Sequence, residues 1–170
     1  MKTDTNEHNV YFLRESRNQE LAKQFEWSRS MLDNNNQVVA NYTVFQGELV
    51  YYMNYDFKRN KKVIGIAIAL DESRDFQNEV FICPLIPMKS EEDMRLGVPF
   101  GKIYSISDQV NFVAAVGGIR RINKNYVKPD EVLQQCWVNP DFVNRVMKMY
   151  TNLLDVIINQ QTKITKELTC

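Results

Sequence analysis

Between residues 44 and 127 the chain is a succession of short apolar runs, rich in β-branched and aromatic residues and separated by polar clusters. This texture constrains the fold more than any other feature of the sequence. The runs at 49–53, 63–70, 80–83 and 112–116 are each too short for a typical helix and have the composition of strands. A weaker strand is expected at 101–106. No helix of useful length fits between these runs, so the pattern argues for a compact antiparallel barrel and against βαβ units. Gly117 and Gly118 interrupt a run that resumes at Ile119-Arg120-Arg121-Ile122, which is the pattern of a bend or bulge inside one long strand.

Helical spacing flanks this region on both sides. Leu21, Phe25, Met31 and Leu32 recur at helical intervals within residues 14–33, with charges between them, and Asn34-Asn35-Asn36 ends the pattern. Residues 128–136 have the features of a short helix. Asn139-Pro140-Asp141 then supplies a capping residue with proline at the first helical position. From there Phe142, Val143, Val146, Met147, Tyr150, Leu153, Leu154 and Ile157 follow the 3, 4, 7 spacing of a buried face, and the pattern extends to Ile164 and Leu168. Such a helix is longer than a small barrel can cover, so its far end is expected to reach a second copy or a partner. The expected fold is α+β and mainly β. Its parts are an N-terminal helical extension (1–43), a barrel (44–128) and C-terminal helices packed on it (129–170), forming one folded domain.

The 170 residues carry 21 Lys+Arg against 21 Asp+Glu, with 44% hydrophobic content, the composition of a globular chain and not of a disordered one. Zero net charge excludes a general nucleic-acid coat, because such affinity comes largely from neutralising phosphates, and leaves room only for a local basic patch. No apolar run approaches a membrane span, and the first ten residues lack the layout of a signal peptide, so a cytoplasmic protein without membrane contact is expected. Cys83, Cys136 and Cys170 are widely spaced and one is left over from any pairing, which favours reduced thiols. A single histidine, His8, rules out a multi-histidine metal site. No metal and no cofactor are expected.

Two basic concentrations stand out. Lys58-Arg59-Asn60-Lys61-Lys62 places four cations in what reads as a hairpin loop, and Arg120, Arg121, Lys124 and Lys128 follow one another with no acid between them. On one face they would form a phosphate-binding patch, with Tyr51, Tyr52, Tyr55, Phe57 and Tyr126 available for base stacking. The plainer alternative is a solvated hairpin tip that discourages edge pairing. Glu91-Glu92-Asp93 has the features of a solvated loop, and Cys83 before Pro84 those of a buried residue at the end of a strand.

On these residues the barrel segment resembles the PemK/MazF family of toxin-like endoribonucleases. Gly47-Glu48-Leu49-Val50-Tyr51-Tyr52 is similar to the family's opening strand, and Ile119-Arg120-Arg121-Ile122-Asn123-Lys124 to its I-R-T-I-D-K run, with a C-terminal helix following. Phe25-Glu26-Trp27 and the asparagine run match the N-terminal helix of longer members, so the resemblance spans roughly residues 20 to 160. It implies an SH3-like antiparallel barrel, usually a homodimer, that cuts single-stranded RNA without a metal, and an acidic antitoxin protein as a possible partner. The family's Arg-Pro loop is replaced by Lys58 to Lys62, Ile86 and Pro87 stand where hydroxyl residues belong, and Ala115 and Gly117 stand where some members place an Arg and an Asp. The resemblance therefore implies Lys62 and Lys61 as catalytic cations and Ser90 as the hydroxyl. Lys58, Arg59, Arg120, Arg121 and Lys124 would bind substrate. A catalytically inactive barrel that binds nucleic acid or protein as a regulator or inhibitor is the alternative.

Overall fold

A computed structural model describes residues 42–56, 58–103, 106, 109–128 and 138–169. The helix expected at 14–33 lies outside the described residues, as does the short helix expected at 128–136 apart from Lys128, which is the last residue of a strand. Among those described, seven strands pair in one antiparallel sheet: β1 (Leu49–Asp56), β2 (Lys61–Ala69), β3 (Glu79–Pro87), β4 (Gly97–Lys102), β5 (Asn111–Ala115), β6 (Arg120–Asn123) and β7 (Val127–Lys128). One long helix, α1 (Pro140–Thr169), follows. The expectation of a mainly β, α+β fold with a long C-terminal helix holds.

The sheet order is β4-β5-β3-β2-β1-β7, and β6 also pairs with β3. The edge of β3 is thus shared: residues 79–82 pair with β6 and residues 85–87 with β5. β5 and β6 are two halves of one bent strand, separated by a 3-10 turn at Val116–Gly118, where the glycine pair implied a bend. Beyond β6 a second 3-10 turn, Lys124–Tyr126, carries the chain from the β3 side of the β1-β2-β3 meander to the β1 side, where β7 pairs. The ladder ends at β4 and β7 and does not close on itself.

Two strands differ from expectation. β3 does not stop at Cys83 but runs on through Pro84 to Pro87. Proline cannot donate to a ladder. Pro84 sits where β3 changes partner between β6 and β5, with its ring against Gly118, so little pairing is lost there. β4 begins four residues earlier than the strand expected at 101–106. Its register is set by Gly97 opposite Ala115, where a side chain would collide with the Ala114 carbonyl, and a bulge between Pro99 and Gly101 ends its regular pairing.

Both faces of the central strands are covered, which is why β2 is a nearly continuous apolar run without polar alternation. One face packs Leu49, Ile64, Ile66, Ile68 and Phe112 against Val143 and Val146 of α1. The other packs Val44, Val50, Ala67, Val80 and Ile82. α1 starts as its sequence predicts: the Asn139 side-chain oxygen accepts from Asp141 N at 2.8 Å, and Pro140 follows the cap. Its first three turns pack on the sheet, with Phe142 edge-on to Phe100 (5.4 Å) and Tyr150 edge-on to Phe81 (6.2 Å). Every residue from 151 to 164 is exposed. Among the described residues no helix is long and apolar enough to cross a membrane.

Candidate nucleic-acid interface

Residues paired across an antiparallel ladder point to the same face, and neighbours along a strand to opposite faces. β1 and β2 join through the expected hairpin, whose tip exposes Lys58 and Arg59 and turns through Asn60 in the left-handed region at φ 53°. Lys62 pairs with Tyr55 and so lies on the face that α1 covers, whereas Lys61 pairs with Asp56 on the opposite face. The two lysines named as catalytic therefore diverge. Tyr55 is exposed, and its hydroxyl hydrogen-bonds the side-chain oxygen of Asn60 across the turn.

The stacking surface is smaller than the sequence suggested. Tyr51 and Tyr52 are buried in the two cores, Phe57 lies outside the described residues, and Tyr55 alone among the β1 aromatics reaches solvent. Tyr52 occupies the space that a side chain at Gly65 would fill, and the Arg120 guanidinium sits 5.5 Å above its ring while donating to the Gly118 carbonyl at 3.1 Å. Arg121 pairs with Phe81 on the helix-covered face, 4.7 Å above its ring and 3.7 Å from the Asp71 carboxylate. Arg120 and Arg121 thus also diverge, and no one face collects the two basic segments.

Lys124 is drawn inside the fold. It is 1% exposed, and its ammonium donates to the carbonyls of Ser73 (3.3 Å), Arg74 (2.7 Å) and Gln77 (3.2 Å), with the Tyr42 ring 5.2 Å away. Three N–H groups meet three carbonyls, so this cation braces the loop between β2 and β3 instead of meeting substrate. Burial lowers its pKa, offset in part by Asp75.

Ser90 is exposed at the entrance of a 3-10 turn, Glu91–Leu96. The Asp93 carboxylate accepts from the backbone amides of Lys89 (2.7 Å) and Ser90 (3.3 Å), and these bonds hold its pKa below the usual carboxylate range. Glu92 faces Arg95 at 3.6 Å. The acidic triplet is the first turn of this segment, as a solvated cluster would be.

The β2–β3 register, Ile66 opposite Leu85, brings the start of β2 and the end of β3 to the same end of the sheet. Lys61, Lys62 and Ser90 therefore belong to one end, together with the hairpin tip. β4 and β5 add two features at that end: Lys102 pairs with Asn111, and Asn111 accepts from Met88 N at 2.8 Å. Lys89 and Lys102, both exposed, extend the cationic end and were not singled out from the sequence. Only the strand register, which no local pattern encodes, reveals them. Among the described residues no group of three His, Cys, Asp or Glu side chains could hold a metal.

Fold and surface together define an α+β, mainly antiparallel domain in which the hairpin cations, with Lys89 and Lys102, share one end of the sheet while Arg120, Arg121 and Lys124 lie toward the other. Protein-family models give no match to the chain, and neither do curated proteins.

Proposed function

We propose that this chain is an SH3-like barrel of the PemK/MazF type that engages single-stranded RNA at the hairpin end of its sheet and cleaves it without a metal. The observation that carries the reading is the convergence of Lys62, Tyr55, Lys58, Arg59 and Ser90 on one end of the sheet through the β1–β2 hairpin and the β2–β3 register. The path of the chain from β6 beside β3 to β7 beside β1 supports the SH3-like arrangement. In the proposed reaction the ribose 2′-hydroxyl gives up its proton to water as its oxygen attacks the adjacent phosphorus, the P–O5′ bond breaks and the 5′-oxygen takes a proton from water, and a 2′,3′-cyclic phosphate results. Lys62 stabilises the charge developing on the phosphate oxygens, Ser90 donates a hydrogen bond to them, and Tyr55 stacks on a base. Lys58 and Arg59 hold flanking phosphates.

The divergence of Lys61 and Lys62 favours a second reading, a catalytically inactive barrel that binds RNA as a regulator or inhibitor. One experiment separates the two. Purified protein is incubated with end-labelled single-stranded RNA in EDTA, and both binding and fragment ends are measured. Cyclic-phosphate products that vanish in Lys62→Ala support the nuclease; binding without products supports the silent barrel. Neither binding nor cleavage would refute both. An acidic antitoxin segment, competing with RNA for the hairpin, is the partner expected of the nuclease alone.

A further inference from the structure

We propose that the loop between β2 and β3 is a seat for a primary ammonium ion, formed by the carbonyls of Ser73, Arg74 and Gln77, and that Lys124 fills it from within the chain. Three carbonyls aimed at one point turn their negative ends toward each other, an arrangement that a cation stabilises. Their distances to the Lys124 nitrogen are 3.3, 2.7 and 3.2 Å, and the residue is 1% exposed. Two of the three oxygens already have a backbone partner: the Ser73 carbonyl accepts from Val44 N and the Arg74 carbonyl from Gln77 N, each at 2.8 Å. Backbone pairing alone therefore does not account for the convergence.

The seat suits an ammonium in particular. A compact head with three N–H donors matches three oxygens, whereas a guanidinium is a planar fork. The Tyr42 ring, 5.2 Å from the nitrogen, adds an electron-rich wall. Asp75 attracts the ammonium from a distance, its own Oδ1 accepting the Thr43 hydroxyl at 2.6 Å. The same residue also closes the loop through its backbone. Lys124 N donates to the Asn78 carbonyl at 2.7 Å, so main chain and side chain together take four carbonyls within residues 73–78. The Tyr42 hydroxyl lies 2.9 Å from the Lys124 carbonyl and 2.7 Å from that of Val127. One charge thus holds segments 42–44, 73–78 and 124–127 together. Its loss should open the loop and leave the sheet, whose β2–β3 and β3–β6 pairing lies outside it.

This inference is independent of the RNA reading and is tested by loop opening in the full chain. Arg74 is exposed within the loop, so tryptic cleavage after it reports the open population. Cleavage after Arg145, in the packed part of α1, reports global unfolding. Lys124→Met keeps the stem and removes the charge. It should be cut after Arg74 at least about tenfold faster than wild type, the effect of leaving buried carbonyls without their donor. Lys124→Ala leaves room for a free ion. Its cleavage after Arg74 should slow, saturably, as methylammonium chloride is added, and should not respond to tetramethylammonium chloride at the same ionic strength. The wild-type chain, its seat full, should respond to neither. Lys124→Met as resistant as wild type overturns the proposal, because the stem would then be the brace. So does Lys124→Ala that ignores methylammonium or answers both salts alike, and so does a wild-type chain that responds to either. If Lys124→Ala does not fold in buffer alone, refolding from urea in each salt decides. A cooperative transition restored by methylammonium only supports the seat; its absence in both salts, or its return in both, overturns it.

Discussion

Glu48 is a carboxylate 4% exposed beside the first strand, accepting from Phe45 N at 2.9 Å. Burial raises its pKa and that hydrogen bond recovers only part of the cost. An acid raised in the folded state is protonated more readily there than in the unfolded chain, so stability falls as pH climbs from the ordinary carboxylate value through the raised one. Glutamine stays neutral throughout. Glu48→Gln should therefore gain stability relative to wild type between pH 4 and pH 7, measured by paired urea titrations; a gap that is constant with pH would refute the assignment. At Cys83 burial pushes the thiol up to about 12. At neutral pH iodoacetamide should leave it unmodified in the folded protein and label it in denaturant, as peptide mass mapping would record. The burial of Cys83 was legible from its apolar neighbours. That of Lys124 was not, since in sequence it is one of a row of cations, and only the return of the β2–β3 loop supplies its three carbonyls.

Helix α1 and strand β4 mark how far local pattern carries at the scale of elements. The start of α1 was legible because its signals are local: an asparagine cap, a proline at the first position and a periodic apolar face. Asn139→Ala should cost about 1 kcal/mol of stability by thermal or urea unfolding, while Asn139→Ser should restore most of it. β4 was misplaced because Gly101 to Ile106 resembles a strand locally, whereas the pairing is set by contact between Gly97 and the distant Ala114 carbonyl. A Cβ at Gly97 would lie inside the van der Waals shell of that backbone oxygen, and no rotamer relieves it. Gly97→Ala should destabilise the fold by about 1–3 kcal/mol, the usual cost of overpacking. The face of each cation depended on register in the same way. One residue of shift exchanges the faces of Lys61 and Lys62, so sequence could name both without telling them apart.

Across the molecule the balanced charge conceals local concentrations. The hairpin end carries Lys58, Arg59, Lys61 and Lys62, with Asp56 and the Glu91-Glu92-Asp93 triplet as its acids, whereas at the opposite end Asp71, Glu72, Asp75 and Glu79 stand against Arg74, Arg120, Arg121 and Lys124. A nucleic acid approaching the hairpin meets its exposed cations first, so the total of zero understates the local field there. The field has a measurable consequence. Each phosphate neutralised on a single strand contributes roughly −0.7 to the slope of log affinity against log salt. With Lys58, Arg59 and Lys62 each meeting one phosphate, the slope should be about −2, and Lys62→Ala should make it shallower by about 0.7. Tyr55→Ala should act otherwise, weakening binding by about 1–3 kcal/mol with the slope unchanged, because stacking releases no counterions. Arg121→Ala serves as the control, since its guanidinium stands over Phe81 beside Asp71, at the other end of β3. Fluorescence-anisotropy titrations of a labelled single-stranded RNA at several salt concentrations read all three variants. If the slope stayed the same without Lys62 yet fell without Arg121, the RNA would lie across β6, and the hairpin would be a solvated tip.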